Sequence, residues 1–277
     1  MRIQLKHSPL TRSRSTLTAT TSRHSTILPL PLGVLLVLIL LFLSGGIVNA
    51  ENQGPLRELP KPEFKTTPPL FQEWTFDKDK PNTEPGGFTA VTVGEGPEGR
   101  WEVRTSEHAP SLTQVLMQSA PCSTPSCYQL LMAEGSAVDY VDLSVRIHAS
   151  FDSPSGAGGL VFRATDAKNF YALTISPFSN TIQVLRVSNG QVTSLGKETV
   201  IPQAGEWHFL RVNHRTMMSK EIMEIFFDNQ MILNLSDTVK GKGQIGLVTT
   251  GDSVFAFDNL RAMELLTGRP LSRPPAY

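Results

Sequence analysis

The sequence has no excess of charge of either sign, since its 277 residues include 25 Lys and Arg and 25 Asp and Glu. The first 50 residues hold five of the basic side chains and none of the acidic ones, so the rest of the chain has 20 basic against 25 acidic groups, a formal charge of −5. Binding to nucleic acid needs a basic face that displaces counterions from the phosphates. The acidic balance after residue 50 therefore argues against a nucleic-acid partner.

Cysteine is scarce, with only Cys122 and Cys127, which lie in a loop rich in Pro and Ser. No further soft ligand is nearby in the sequence, which favours a disulfide between them over a redox or metal-binding pair. The redox and metal alternatives stay open. A bridge that closes so short a loop constrains little of the unfolded chain, so we expect it to fasten the loop rather than to hold the fold.

Helical periodicity is missing from residues 205–263, which read as short apolar runs punctuated by Asn, Asp and Gly. Residues 141–148 alternate between apolar and polar side chains, as a half-buried strand does. Asn189 and Gly190 predict a tight hairpin turn between two further strands. Roughly a dozen short strands need two sheets, or a barrel, to bury their apolar faces. The sequence therefore predicts an all-β sandwich of antiparallel sheets.

The N-terminal 50 residues read as an export signal. A basic leader precedes an apolar stretch at residues 32–43, and the segment closes on Val48-Asn49-Ala50, which suits cleavage after Ala50. The alternative is an uncleaved membrane anchor, because residues 27–48 carry no charge and are long enough to cross a bilayer core of about 30 Å. Both interpretations place the folded domain outside the cytoplasm, in the periplasm or the extracellular space.

The remaining chain divides into three parts. Residues 51–70 contain five prolines and predict an extended linker. Residues 71–264 contain the predicted strands and form the β-sandwich domain. Residues 265–277 contain three prolines, and we expect this tail to be disordered or to lie on the surface.

Four groups of residues carry a resemblance to a known superfamily. They are Trp74-Thr75-Phe76-Asp77, Gly159-Leu160-Val161-Phe162-Arg163 with Asp166, Asn169 and Tyr171, then Gly205-Glu206-Trp207, and finally Phe257-Asp258-Asn259-Leu260. Together they resemble the concanavalin A-like, laminin-G-like jelly rolls, and within these the bacterial 3-keto-disaccharide hydrolase-like domains. The resemblance spans about residues 74–263. It implies a jelly-roll sandwich and a carbohydrate-related role, as an enzyme or as a binding module, without naming an activity.

Catalytic motifs are absent. The laminarinase-like relatives carry Glu-x-Asp-x-x-Glu on one strand, and this sequence has no such run and no Gly-x-Ser-x-Gly nucleophile elbow. Glu221 and Glu224 have an odd separation, so a strand would send them to opposite faces. His208 and His214 share one strand face and would suit a ligand or zinc, or else they are edge positions of a strand with an apolar centre.

A saccharide site would combine an aromatic platform with planar polar groups. Arg163, Asn169 and Tyr171 lie at or beside the turn between two predicted strands, and they would share a concave face if those strands pair. Cross-strand packing within the sheet is the alternative. We interpret these three residues as the candidate ligand-binding set.

Asp77 and Asp258 are the candidate metal ligands. The resemblance implies that the first and last strands pair, which would bring the two carboxylates together and suit a structural calcium ion. Alternatively, each caps backbone amides in its loop.

These features predict an exported, non-catalytic module that binds a saccharide or cell-surface glycan. The alternative is a glycoside hydrolase or lyase acting on keto-disaccharides or glucosides, whose acid, base or metal would come from separate loops. A carboxylate and a histidine that converge in a pocket beside Arg163 and Tyr171 would favour the enzyme, whereas a flat aromatic face would favour binding. A purely structural role in the cell envelope also remains open.

Overall fold

The computed structural model describes residues 70–120, 122, 124, 126–149, 155–218, 220–238, 241–252 and 254–266. Within these ranges the chain forms 15 β-strands and no helix. Consequently, the described part offers no helix with the length and apolar character needed to span a membrane. The predicted export signal or anchor, residues 51–69 of the predicted linker, and residues 267–277 of the predicted tail lie outside the described residues.

Strand bounds follow the alternation of apolar side chains. The strands are β1 Phe71–Trp74, β2 Phe88–Val93, β3 Trp101–Thr105, β4 Gln114–Gln118, β5 Tyr128–Ala133, β6 Val141–Ala149, β7 Ala157–Asp166, β8 Asn169–Ser176, β9 Thr181–Ser188, β10 Gln191–Thr199, β11 His208–Met217, β12 Lys220–Phe227, β13 Gln230–Asp237, β14 Gln244–Thr250 and β15 Phe255–Glu264.

Two sheets contain these strands. One has eight strands in the order β13-β12-β11-β6-β15-β4-β3, with β1 pairing on β15, and the other has seven in the order β10-β9-β8-β7-β14-β5-β2. The strand pairs within both sheets are antiparallel. The predicted all-β class and two-sheet architecture are therefore confirmed, as is the predicted pairing of the first strand with the last.

The core lies between the sheets. In β6, the alternate side chains Leu143, Val145 and Ile147 are buried in it, while the intervening polar residues face away, as the period of two predicts. The β9–β10 hairpin turns at Asn189 and Gly190, whose φ angles of 50° and 78° are those that the Asn-Gly pair favours. Both local predictions are confirmed.

The outer faces of the two sheets differ in chemistry. The outer face of the seven-stranded sheet is apolar and includes Leu130, Val161 and Val248. The outer face of the eight-stranded sheet presents the polar positions of β6, among them Asp142 and Arg146. The eight-stranded sheet therefore presents polar side chains on its outer face, where a ligand could meet them.

One irregularity in β7 changes the inside of the sandwich. Arg163 adopts a φ of 52°, and the β7–β8 register shifts between Phe162 and Asp166. In a regular strand, neighbouring side chains point to opposite faces, but a bulge breaks this rule. Phe162 and Arg163 therefore both point into the sandwich, and a guanidinium group enters the space between the sheets.

Candidate functional site

Two groups of polar side chains are candidates for a functional site. The first, which we call the interior cluster, lies between the sheets and draws on six strands, β7, β8, β9, β11, β12 and β13, and on the residue that precedes β6. Its members are Tyr140, Arg163, Tyr171, Arg186, His214, Glu221 and Asp237.

Arg163 is the centre of the interior cluster. Its Nη1 donates to Oε2 of Glu221 at 2.5 Å, and its Nη2 donates to the carbonyl of Gly241 at 3.0 Å. Arg163 and Glu221 are only 7% and 5% exposed. A buried charge is tolerated only when it is paired and its hydrogen bonds are satisfied, so this ion pair is what allows the arginine to occupy the core.

His214 is a neutral member of this cluster. Burial, followed by the nearby positive charge of Arg163, lowers the pKa of His214 to about 3. Its Nε2 lies 3.3 Å from Arg163 Nη1 and 3.6 Å from Glu221 Oε2. Because arginine can only donate, Nε2 accepts and the imidazole proton is on Nδ1. That Nδ1 is buried and has no hydrogen-bond partner among the described residues.

Tyr171 is tied to a second ion pair. Its hydroxyl donates to Oδ2 of Asp237 at 3.0 Å, and Arg186 Nη1 donates to both oxygens of the same carboxylate at 3.0 and 2.8 Å. Burial, together with the hydrogen bond to Asp237, raises the pKa of Tyr171 well above its usual range. The phenol therefore stays protonated and acts as a donor.

The structure brings two of the three predicted ligand residues together. Arg163 and Tyr171 meet inside the sandwich, where the guanidinium carbon lies 6.0 Å from the tyrosine ring centroid. Asn169 instead lies at the start of β8, beside the β7–β8 turn, where its amide donates to Asp166 at 2.9 Å and its oxygen accepts from the backbone N–H of Asn189. Saccharide contact by these three residues stays a prediction. A ligand would reach Arg163 and Tyr171 only if the interior opened.

The acids of β12 and the histidines of β11 point to the strand faces that their spacing in the sequence predicts. Glu221 points inward, whereas Glu224 points outward and pairs with Arg215 at 2.7 Å. His208 and His214 are both buried on the inner face, but they do not converge, since His208 Nδ1 lies 2.8 Å from Asp228 Oδ2 instead. Across the described ranges, no group of three or more His, Cys, Asp and Glu side chains is arranged to hold a metal ion.

Asp77 and Asp258 approach one another through the loop that contains Ser111. Ser111 donates its backbone N–H and its hydroxyl to Asp258 at 2.8 Å, and Asp77 accepts from the backbone of Thr113 at 3.2 Å. Burial raises the pKa of Asp258, and the negative charge of Asp77 adds to this rise. Burial alone would raise the pKa of Asp77, but hydrogen bonds led by that of Thr75 lower it. N–H and O–H donors thus occupy these carboxylates, and a calcium ion would have to displace some of them.

The second candidate site is an open groove of about 290 Å³ on the outer face of the eight-stranded sheet, which we call the outer groove. It is lined by Asp142, Ser144, Phe209, Arg211, Asn229, Arg261 and Met263. Strand register creates it, because Ser144 of β6 lies between Arg261 of β15 and Arg211 of β11.

Arg211 is held rigidly in the outer groove. Its Nε and Nη2 donate to the two oxygens of Asp142 at 2.7 and 2.6 Å, and its guanidinium carbon lies 5.0 Å from the ring centroid of Phe226. The hydrogen bond to Asp142 raises the pKa of Arg211, which remains charged. The bidentate pair fixes the guanidinium plane and leaves Nη1 without a protein partner among the described residues.

The outer groove was not singled out from the sequence. The polar positions of β6 were recognised only as a solvent face, and the arginines of β11 and β15 carried no motif. A usable signal was present, however: Phe209 and Arg211 occupy outward positions of a half-buried strand, and this places an aromatic side chain next to a guanidinium group on the polar face.

The two cysteines form a disulfide, as predicted, with their Cα atoms 5.9 Å apart. The backbone N–H of Cys122 donates to the carbonyl of Gly251 at 2.8 Å, which attaches the small ring to the β14–β15 turn. The bridge lies apart from both candidate sites.

No family model matches the sequence, and no curated protein matches it. Among solved structures, the carbohydrate binding module CBM66 from Bacillus subtilis is similar, with a TM-score of 0.50 at 18% identity over 64% of this chain and 96% of that one. The fold is a concanavalin-like jelly roll. A second similar structure is the GlcNAcα1-4Gal releasing endo-β-galactosidase from Clostridium perfringens, with a TM-score of 0.50 at 11% identity over 76% of this chain and 66% of that one. At such identities the likeness shows the fold alone, and one neighbour is a binding module while the other is an enzyme.

Proposed function

We propose that this domain is an exported module that binds a saccharide in the outer groove without cleaving it. The observation that carries the proposal is the Asp142–Arg211 pair, which holds a guanidinium group rigidly beside the Phe209 ring in an open groove. The fold supports the proposal as a scaffold that also occurs in a carbohydrate binding module.

The groove offers both kinds of contact that a sugar needs. A pyranose has an apolar face, which packs on an aromatic ring such as Phe209, and a rim of hydroxyl groups, which requires donors and acceptors in fixed positions. Arg211 Nη1 supplies a donor, and the side chains of Ser144 and Asn229 supply both donors and acceptors. Because Asp142 restrains Arg211 before binding, little conformational entropy is lost when a ligand arrives.

The absence of an acid pair supports a non-catalytic role for the groove. Glycoside cleavage needs two carboxyl groups about 5 to 9.5 Å apart on either side of the bond. Asp142 is the only carboxylate among the described residues that line the groove, and both of its oxygens accept from Arg211. It is therefore poorly placed to act as an acid or a nucleophile.

A glycoside hydrolase or lyase acting on keto-disaccharides or glucosides is the second proposal, and the interior cluster favours it. Glu221 and His214 converge beside Arg163, and Asp237 lies opposite Glu221 in the β12–β13 register. Burial of the cluster argues against ready access of a substrate. Release of reducing sugar by the wild type, abolished in Glu221→Gln and Asp237→Asn variants that still fold, would establish this activity. No release from any glycoside would exclude it.

Export is part of the first proposal and is supported by the disulfide and by the predicted signal. Sequencing of the mature N-terminus tests it. A start at Glu51 indicates cleavage after Ala50, whereas a retained leader in the membrane fraction indicates the anchor at residues 27–48.

A structural calcium ion between Asp77 and Asp258 also remains a proposal. Calcium bound there would raise the melting temperature of the wild type but not that of an Asp77→Asn variant. Equal responses of the two proteins, with and without chelator, would exclude the site.

The decisive test of saccharide binding is a glycan array probed with the purified protein. We expect binding to at least one glycan, a loss of binding in Phe209→Ala, and retention in Arg215→Gln, which alters the same strand and face outside the groove. Thermal melting checks that both variants fold. No binding to any glycan would contradict the proposal.

A further inference from the structure

The outer face of the eight-stranded sheet is rich in arginine although the chain after residue 50 is acidic. Its outward positions include Arg104, Arg146, Arg211, Arg215 and Arg261. Three of these form ion pairs. The pairs are Arg104 with Glu102, Arg211 with Asp142, and Arg215 with Glu224. Arg146 and Arg261 are the two arginines of this face that lie outside these ion pairs.

Arg146 and Arg261 have no ion-pair partner among the described residues. Each instead lies over a phenylalanine ring, Arg146 over Phe209 and Arg261 over Phe71, with 5.2 Å between the guanidinium carbon and the ring centroid in both cases. Stacking on an aromatic face orients a guanidinium group without neutralising its charge.

The acids nearest to them in the strand register do not cancel these charges. Glu73 lies opposite Arg261, and Asp258 lies opposite Arg146, but neither forms an ion pair with its arginine among the described residues. Asp258 accepts its hydrogen bonds from Ser111 and Asn259 instead. The outer groove is thus bordered by two guanidinium groups that form no ion pair among the described residues: that of Arg261, which lines the groove, and that of Arg146, which lies over the Phe209 ring.

We infer that the outer groove binds an anionic saccharide, with the acidic group of the sugar held by Arg261, which lines the groove, and by Arg146, which lies over the Phe209 ring at its border. The inference rests on the proposed saccharide binding and adds the class of ligand. A planar carboxylate accepts two parallel hydrogen bonds from a guanidinium fork, as in a uronic acid, and a sulfate ester presents the same charge. The shared chemistry is therefore an anionic group on the sugar.

The test compares ligands that differ only in that charge. Isothermal titration of the purified full chain uses oligogalacturonate and its methyl ester, glucuronate-containing oligosaccharides and their methyl esters, and a sulfated oligosaccharide with its desulfated form. We expect at least tenfold tighter binding of the acid than of its ester, with the affinity falling as salt is raised from about 0.05 to 0.5 M. Comparing the uronate pairs with the sulfated pair shows whether the groove prefers a carboxylate or a sulfate ester.

Variants connect the charge preference to the two arginines. Arg261→Gln and Arg146→Gln should each remove most of the difference between acid and ester, whereas the matched control Arg215→Gln should retain it. Equal binding of an acid and its ester by the wild type overturns the anionic class and leaves saccharide binding intact. If the wild type binds none of these paired ligands and no glycan of the array, both the saccharide-binding proposal and the anionic class are overturned.

Discussion

Arg163 adopts a φ of 52°, and this single backbone conformation places a charge inside an apolar core. Non-glycine residues in that region are strained by about 1–3 kcal/mol, so the surrounding contacts must hold the residue there. The ion pair with Glu221 and the bond to the Gly241 carbonyl are those contacts. Similar residue types outside the core, such as Arg215 and Glu224, remain hydrated and gain little from pairing.

The two acids of β12 should therefore differ in their effect on stability. Glu221→Gln leaves the Arg163 charge buried without its partner, and we expect the free energy of unfolding to fall by about 3 kcal/mol. Glu224→Gln on the same strand should change it by less than about 1 kcal/mol. Urea denaturation followed by tryptophan fluorescence measures both. Equal losses would mean that the interior pair is not the contact that holds Arg163.

His214 should make stability depend on pH in the mildly acidic range. Its folded-state pKa of about 3 lies below the unfolded value of 6.5. The unfolded state therefore binds more protons as the pH falls below 6.5, and stability is lost progressively down to about pH 3. The loss should approach about 1.4 kcal/mol per pH unit.

A His214→Gln variant should show a shallower decline than the wild type when unfolding is measured at several pH values. NMR of the imidazole protons should find His214 uncharged at pH 5. Charging of His214 above that pH would contradict the assignment.

At the scale of strands, the alternation of β6 and the Asn-Gly hairpin were predictable because both are local properties. Strands β2 and β5 were not predicted. All six residues of β5 are buried, so it has no polar face and no period of two. The bulge in β7 has no sequence signal either, since Arg163 is not a residue that favours positive φ.

The outer groove was missed for a related reason. All but one of its residues come from β6, β11 and β15, with Asn229 in the β12–β13 turn, and they meet only once three strands distant in sequence have paired in one register. A one-residue slip of β11 would turn Arg211 into the core, and a one-residue slip of β15 would do the same to Arg261. The alternation of apolar and polar residues along a strand shows which of its faces is polar. It does not show which strands pair with one another or in which register.

Two glycines should respond differently to the same substitution, because one is limited by packing and the other by its φ angle. A Cβ at Gly159 of β7 would collide with the carbonyl of Leu173 on β8, so Gly159→Ala should push the strands apart and cost at least about 2 kcal/mol. A Cβ at Gly190 would meet no atom within 4 Å, and only its φ of 78° opposes the change. Gly190→Ala should cost about 1 kcal/mol.

Urea denaturation tests the order of these two effects, and amide hydrogen exchange tests their position. Gly159→Ala should weaken protection along β7 and β8, whereas Gly190→Ala should affect the β9–β10 turn alone. The reverse order of stabilities would show that sheet spacing adapts more easily than the turn.

At the scale of the whole molecule, the sandwich uses its two outer faces differently. The seven-stranded sheet buries a second apolar layer, while the eight-stranded sheet carries ion pairs and the outer groove. The core between them spans both sheets and includes side chains from β3 to β15. Stability of the fold should therefore come from this core, and the groove can vary in chemistry without loss of the fold.

Removal of the disulfide tests whether the core between the sheets, rather than the small bridged loop, supplies the stability of the fold. Cys122 and Cys127 are five residues apart, and a ring of that size restricts the unfolded chain by only about 2 kcal/mol, against almost 5 for a loop of about 100 residues. A Cys122→Ser, Cys127→Ser double variant should therefore keep its β-sheet circular dichroism and its cooperative unfolding, with a loss of no more than about 2 kcal/mol. It should also retain glycan binding, because the bridge lies apart from the outer groove. Loss of cooperative folding in this variant would show that the small loop, rather than the core between the sheets, decides whether the sandwich forms.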